Sequence, residues 1–302
     1  MENHDVNVIS GKYRPRQFEF HPTSPALIFG TIKGNICTVD LENPALPIKL
    51  LGNFGAGSMD AILGICWMKK HQSRFISGST LGKLVCGDMR YGAIDDEHRS
   101  ALVKEYARFD RLTSVHVNSE NVHLLVSGYS TTAHIYDIET GGIVAEYREA
   151  HQNHINISRF SNLSPNLFAT SSFDGKAKAW DTRASNKIPI YEVKCNSGIV
   201  MINFSPDDTF MLASALDNEI TQFLTVDGRK HTTFDVPKTG ASILLNLVEL
   251  ILRIISLMRC LICDFPLMIM IAGLEGNYTR AYYSSTGAYI VTGACEESTV
   301  QY

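Results

Sequence analysis

At 302 residues the chain is long enough to bury a large core, and 45% hydrophobic with 19% charged residues excludes disorder over most of its length. A formal net charge of -4 excludes a broad electrostatic grip on nucleic acid and leaves room for a local basic patch. Seven cysteines (Cys37, Cys66, Cys86, Cys195, Cys260, Cys263 and Cys295) are scattered and odd in number, and MENHDVNVIS at the start has no apolar signal region. The expectation is an intracellular chain with reduced, buried thiols.

In chain order the elements repeat. After a tail over 1–12, expected to be disordered, the first copy is FEFHPTSPALIFGTIKGNICTVD. One strand ends over Phe18 to His21, Ala26 to Thr31 is a second, and Lys33-Gly34 turns into Asn35 to Asp40. The second copy places strands at Ile62 to Trp67, Arg74 to Ser79 and Lys83 to Arg90, ending in GDMR. A third runs through Leu112 to Val117, Leu124 to Gly128 and Ala133 to Asp137. The fourth, from His151, is the fullest, and its LFATSSFDGKAKAWDTR holds a buried strand, an Asp174-Gly175 turn and a strand closing on Trp180-Asp181. That dipeptide marks one blade of a β-propeller. The fifth copy, VMINFSPDDTFMLASALDNEITQFLTVDG, turns at Asp217-Asn218 but lacks Trp-Asp, and a sixth begins at Tyr278 and stops at Tyr302.

The turn positions Gly34, Gly82, Thr131, Gly175 and Asn218 lie 48, 49, 44 and 43 residues apart, the rhythm of four-stranded blades. The next interval, to Glu297, is 79 residues and contains ASILLNLVELILRIISLMRCLICDFPLMIMIAG, an apolar stretch of 33 residues over 241–273 without strand alternation. Removing it restores an interval of 46. Three readings fit this segment, which is expected to be helical. A membrane span needs about 20 apolar residues, but Glu249, Arg253 and Arg259 fall inside it, each costing about 2.5 to 3.5 kcal/mol near a bilayer centre. An amphipathic helix could pair Glu249 with Arg253 at i, i+4. The clean excision favours a segment foreign to the evolved fold, such as non-coding sequence carried into a transcript. The organisation expected is therefore all-β: an incomplete β-propeller of about five and a half blades out of seven. Blades one to five occupy 13–240, the apolar insert 241–273 and a truncated sixth blade 274–302. With an unclosed ring, such a chain is expected to be marginally soluble.

Within the best blade His151, Asp174 and Trp180, with Asp217 in the next blade, read as structural: His151, a serine at Ser171 or Ser172, and Asp174 are expected to hydrogen-bond towards Trp180. Arg183 differs, because it lies beyond the last strand on a rim loop, where arginine is a frequent partner anchor. Lys69-Lys70-His71-Gln72 is the compact basic loop, and it lacks the aromatic wedge that lesion-binding proteins use. No phosphate loop or nucleophile elbow appears. His151 and His154 with Cys260-x-x-Cys263 lack a second zinc-spaced pair, so no catalytic residue, cofactor or metal is expected.

The Leu167 to Arg183 stretch resembles the box ending in W-D-x-R of WD-repeat proteins that dock on the adaptor of cullin-4 RING ubiquitin ligases. HPTSP and GTIKGN look like elements of the damaged-DNA-binding protein 2 group of that family. The resemblance implies a substrate receptor with adaptor-binding residues Arg183 and Asp181, and a degenerate second copy at Asp88 and Arg90. It implies a ligase adaptor and a substrate protein as partners, with nuclear and/or cytoplasmic residence and a role in protein ubiquitination and DNA damage response. Damaged-DNA recognition, or a general scaffold of another complex, is the alternative. The sequence departs from the family in that no helical extension precedes the first blade and the last blades are missing.

Overall fold

Strands form where the repeats place them, because runs such as ALIFGT and LFATSS offer small and β-branched side chains that tolerate burial on both faces of a sheet. The computed structural model describes residues 8–9, 15–42, 47–57, 59–92, 101–184, 187–217, 219–234, 267–270, 279–283, 289–294 and 300–301. Among these, all regular structure is β-strand. The chain divides into two units, Met1–Phe160 with Ser298–Gln301 and Ser161–Glu297 with Tyr302.

In the first unit, β1 (Val8–Ile9) pairs antiparallel with β25 (Val300–Gln301). Val8–Ile9 fall inside the 1–12 stretch expected to be disordered, so at these two residues the tail is a strand. β2 (Pro15–Phe20), β3 (Ala26–Thr31), β4 (Asn35–Asp40) and β5 (Lys49–Asn53) pair in chain order as an antiparallel sheet. The same meander is made by β6 (Ile62–Trp67), β7 (Arg74–Ser79), β8 (Leu84–Asp88) and β9 (Leu102–Tyr106), and again by β10 (Leu112–Val117), β11 (His123–Gly128), β12 (Ala133–Asp137) and β13 (Ile143–Tyr147). The unit also holds β14 (Ile155–Phe160), tied to β10 by Ser114 Oγ donating to Ser158 O at 3.1 Å and by Phe160 N donating to His116 Nδ1 at 3.2 Å.

Apolar side chains between these sheets form the cores. Ile28, Ile36, Ile62, Ile65, Trp67 and Phe75 fill one, and Ile76, Leu84, Leu112, Val115, Leu124 and Tyr136 another. Each aliphatic side chain buried in this way contributes about 1.5 to 3 kcal/mol. The fourth strand of each sheet escaped the repeat reading: β9 and β13 expose Leu102, Val103, Ile143 and Val144, and their short runs LVKEY and IVAEY carry no strict alternation.

In the second unit β15 (Leu167–Ser172), β16 (Lys176–Asp181) and β17 (Tyr191–Lys194) pair antiparallel in chain order. A four-stranded meander follows in β18 (Ile199–Phe204), β19 (Phe210–Ala215), β20 (Ile220–Leu224) and β21 (Lys230–Phe234). The final sheet has the order β22 (Leu267–Met270), β24 (Tyr289–Ala294), β23 (Thr279–Tyr283), with β22 parallel to β24. Leu212, Ile220, Ala281 and Ile290 form its buried contact with the preceding sheet, and Gln222 Nε2 donates to the Tyr283 hydroxyl at 2.8 Å. The helix expected over 241–273 lies outside the described residues except at Leu267–Met270, and these four form a strand rather than a helix. Among the described residues no helix is long and apolar enough to cross a membrane.

Candidate protein-interaction site

Asp181 is the last residue of β16, opposite Leu167, so its side chain leaves the sheet at the turn that follows. Thr182 is pinned there by its N–H to Asn166 O at 2.9 Å and its hydroxyl to Asn166 Oδ1 at 3.0 Å. The next residue, Arg183, folds back on Asp181. Its backbone N–H donates to Asp181 Oδ1 at 2.9 Å, Nε donates to Oδ1 at 2.9 Å and Nη2 donates to Oδ2 at 2.5 Å. The fork match of guanidinium and carboxylate fixes the arginine in one rotamer. The Arg183 hydrogen bonds hold the Asp181 carboxyl below the usual carboxylate range against the upward pull of burial, so the pair is ionic at neutral pH. Arg183 is nevertheless 73% exposed, and its Nη1 has no hydrogen bond among the described residues. An exposed pair of this kind adds little to stability. Its effect is to hold an exposed cation against the end of β16.

The second unit holds one sequence-expected pair, Asp181 with Arg183, and the first unit holds the other. There Asp88 ends β8 and receives Arg90 in the same way, with Nε donating to Oδ1 at 3.0 Å and Nη2 to Oδ2 at 2.6 Å. Asp88 is 1% exposed, and burial alone would raise its pKa. Hydrogen bonds from Arg90 and Ser73 outweigh that and bring it below the usual range. The register of the sheets gives the pattern an order: Asp40, Asp88, Asp137 and Asp181 all face the first residue of their neighbouring strand or its equivalent, and the residues two further on are Glu42, Arg90, Glu139 and Arg183. In the fifth repeat Leu224 takes the aspartate's place and Val226 the arginine's, while a third clamp forms three residues later, with Arg229 Nε donating to Asp227 Oδ2 at 2.6 Å. The sequence reading missed this clamp, although the VDGR run carries the same acid-x-arginine spacing.

The residues read as structural are accounted for locally. Trp180 is 3% exposed, stacks on Phe168 at 6.2 Å between centroids, and donates its indole N–H to Thr170 Oγ1 at 2.9 Å. The acceptor is thus one residue before the serines expected. Asp174 is a turn residue, its Oδ1 accepting from Lys176 N at 3.0 Å, and Asp217 Oδ1 likewise accepts from Glu219 N at 3.2 Å. His151 belongs to the first unit and is 4% exposed. Cys37, Cys66, Cys86 and Cys195 are buried thiols, while Cys260, Cys263 and Cys295 lie outside the described residues. Among the described residues no group of three metal-ligating side chains converges.

Around the basic loop the structure adds a feature that spacing did not reveal. His21 Nε2 lies 2.6 Å from Gln72 O, which brings the turn after β2, with Phe20 57% exposed at its start, beside Lys69-Lys70-His71. Lys69 N donates to Asn121 Oδ1 at 2.9 Å, anchoring the loop on the other side.

No family model matches the chain. It is 38% identical over 291 residues to Protein DWD HYPERSENSITIVE TO UV-B 1 of Arabidopsis thaliana, a match covering 95% of this chain and 33% of that protein. It is 30% identical over 110 residues to the WD repeat-containing protein 55 homolog of Drosophila persimilis, covering 36% of this chain and 21% of the relative. The Drosophila yakuba homolog is 26% identical over 140 residues, covering 46% and 27%. The chain thus spans about a third of the length of the plant relative and less of the insect ones. The antiparallel four-stranded sheets and the similarity to these proteins together identify the chain as a WD-repeat protein built of β-propeller blades.

Proposed function

We propose that this chain is a non-enzymatic interaction scaffold that docks on the adaptor of a cullin-4 RING ubiquitin ligase and presents a substrate protein to it. The observation that carries the reading is the Asp181–Arg183 clamp, an arginine 73% exposed whose guanidinium makes three hydrogen bonds to one carboxylate, to which its backbone N–H adds a fourth. Arginine ordered before binding loses little side-chain entropy on docking, and interface hot spots are enriched in arginine for related reasons. The plant relative's name joins a DWD designation to ultraviolet-B hypersensitivity, which supports a receptor working in an ultraviolet response; residence in the nucleus and/or cytoplasm is part of the proposal. Co-precipitation of the adaptor by the full chain, wild type against Arg183→Ala, tests it: the wild type should capture the adaptor and the variant should lose most of the signal. A wild type that captures nothing would end the reading.

A second reading, binding of ultraviolet-damaged DNA, draws on the exposed Phe20 beside Lys69-Lys70-His71, an aromatic next to a basic loop. Binding of irradiated duplex that vanishes in a Lys69→Ala/Lys70→Ala variant would favour it over the adaptor reading.

A further inference from the structure

The rim of the first unit at the opposite strand ends from Arg90 is also built rather than loose. Asp60 is 1% exposed, and its carboxylate accepts from Ala56 N at 2.6 Å and from Leu81 N at 2.7 Å. One buried acid therefore locks the loop before β6 to the β7–β8 turn. The locking continues along the rim, with Phe109 N donating to Gly82 O at 3.1 Å and Tyr129 N to Arg111 O at 2.9 Å. Along this hydrogen-bonded belt three large apolar side chains point to solvent: Met59 at 69%, Leu81 at 59% and Tyr129 at 52%. Arg111, in the left-handed region at φ 51, lies with its guanidinium carbon 5.5 Å from the Tyr129 ring centroid. Lys33, Arg108 and Arg148 are also exposed on the same rim, Arg148 paired with Glu146 at 2.6 Å, as are the acids Asp110 and Glu149.

We infer that this rim is a second docking surface, taking an extended segment of a partner protein that carries apolar and acidic side chains together. The apolar groups would seat on Met59, Leu81 and the edge of Tyr129, and the carboxylates would meet Arg111 and Arg108. Charge complementarity selects an acidic segment over a basic one, and tyrosine, methionine and arginine are the residues enriched at interface centres. Fixed loops keep the ordering cost of binding low. A nucleic acid would find few cations here and no use for Met59 and Leu81. The surface goes beyond the adaptor reading, since it lies at the other strand ends from Arg90 and uses none of Asp181, Arg183 or Arg90.

Selection of a random twelve-residue displayed peptide library on the immobilised full chain tests the inference. Parallel selections use Met59→Ser/Leu81→Ser and Arg111→Asn variants, asparagine being chosen because it tolerates a positive φ. The wild type should enrich peptides combining Leu, Ile or Phe with Asp or Glu. A synthetic winner should bind each variant at least about five-fold more weakly, a loss of about 1 kcal/mol. Adaptor co-precipitation should be unchanged in the same variants, which separates failure of this surface from failure of the adaptor reading. No enrichment, enrichment of basic peptides, equal binding by the variants, or displacement of the peptide by a 20-nucleotide single strand would each overturn it.

Discussion

Trp180 on β16 lies opposite Phe168 of β15 and reaches diagonally to Thr170 two residues along, joined to it by a buried indole N–H to hydroxyl hydrogen bond of 2.9 Å. The tryptophan of the Trp-Asp dipeptide thus closes its blade through a threonine on the neighbouring strand. Thr170→Val keeps the shape of the side chain and removes the acceptor, leaving a buried N–H unpaired at a cost of about 1 to 3 kcal/mol. Urea unfolding should show a lower midpoint with an unchanged slope. Trp180→Phe should cost a comparable amount, and an unaltered midpoint in both would show the bond to be energetically idle.

Much of this architecture was legible in the chain because turns punctuate it at a fixed rhythm. The first three strands of each repeat are bounded by Gly and Asp turns, and Ala26–Thr31, Ile62–Trp67 and Leu167–Ser172 begin and end where those turns place them. The fourth strands were not legible, since β9 and β13 expose Leu102, Val103, Ile143 and Val144 and so lack the burial pattern that betrays a strand. The Asp181–Arg183 pair was visible as spacing, but its locked rotamer required the turn that pins Thr182 to Asn166. Met59, Leu81 and Tyr129 gave no signal at all, because single apolar residues on loops have no period, and only the hydrogen bonds of Asp60 and Arg111 unite them.

Two glycines with similar backbones should respond differently to alanine. Gly82 has φ 85 and a Cβ there would collide with the Phe109 carbonyl oxygen, whereas at Gly175, with φ 81, the nearest atom would be Ser197 O at 3.4 Å. Gly175→Ala pays mainly the left-handed conformation, about 1 kcal/mol, while Gly82→Ala must also displace backbone and should lose clearly more. Thermal unfolding of the two variants side by side gives the comparison, and equal losses would contradict the packing at Phe109.

His116 sets a pH dependence of definite sign. It is 6% exposed and its Nδ1 accepts the Phe160 N–H, which requires that nitrogen unprotonated. Burial first, then Arg159 and Lys69, hold its pKa well below 6.5. The unfolded chain takes up a proton as pH falls through 6.5 and the folded chain does not, so this contribution is present at neutral pH and lost on acidification, by at most about 1.4 kcal/mol per pH unit. Neighbouring Glu19, raised chiefly by burial and paired to Arg159 at 3.6 Å, acts in the opposite sense below neutrality, because its folded form prefers to be protonated. His116→Asn keeps an acceptor for Phe160 N. Unfolding measured from pH 7.5 to 5.5 should show the wild type losing stability relative to this variant as pH falls, and parallel curves would rule the assignment out.

The clamp itself can be dissected through its carboxylate. Asp181→Asn leaves Arg183 in place and weakens the ionic fork that orders it, so adaptor binding should weaken by about three-fold, less than for loss of the arginine. Stability should change by less than about 0.5 kcal/mol, because the pair is exposed.

The affinity of the purified full chain for the ligase adaptor, measured by calorimetry for wild type and Arg183→Ala at equal fold content, tests adaptor docking most directly. Binding by the wild type that falls at least about ten-fold in Arg183→Ala, a change of about 1.4 kcal/mol, is the expected result. Equal affinities for the two proteins, or no binding by the wild type, would contradict it.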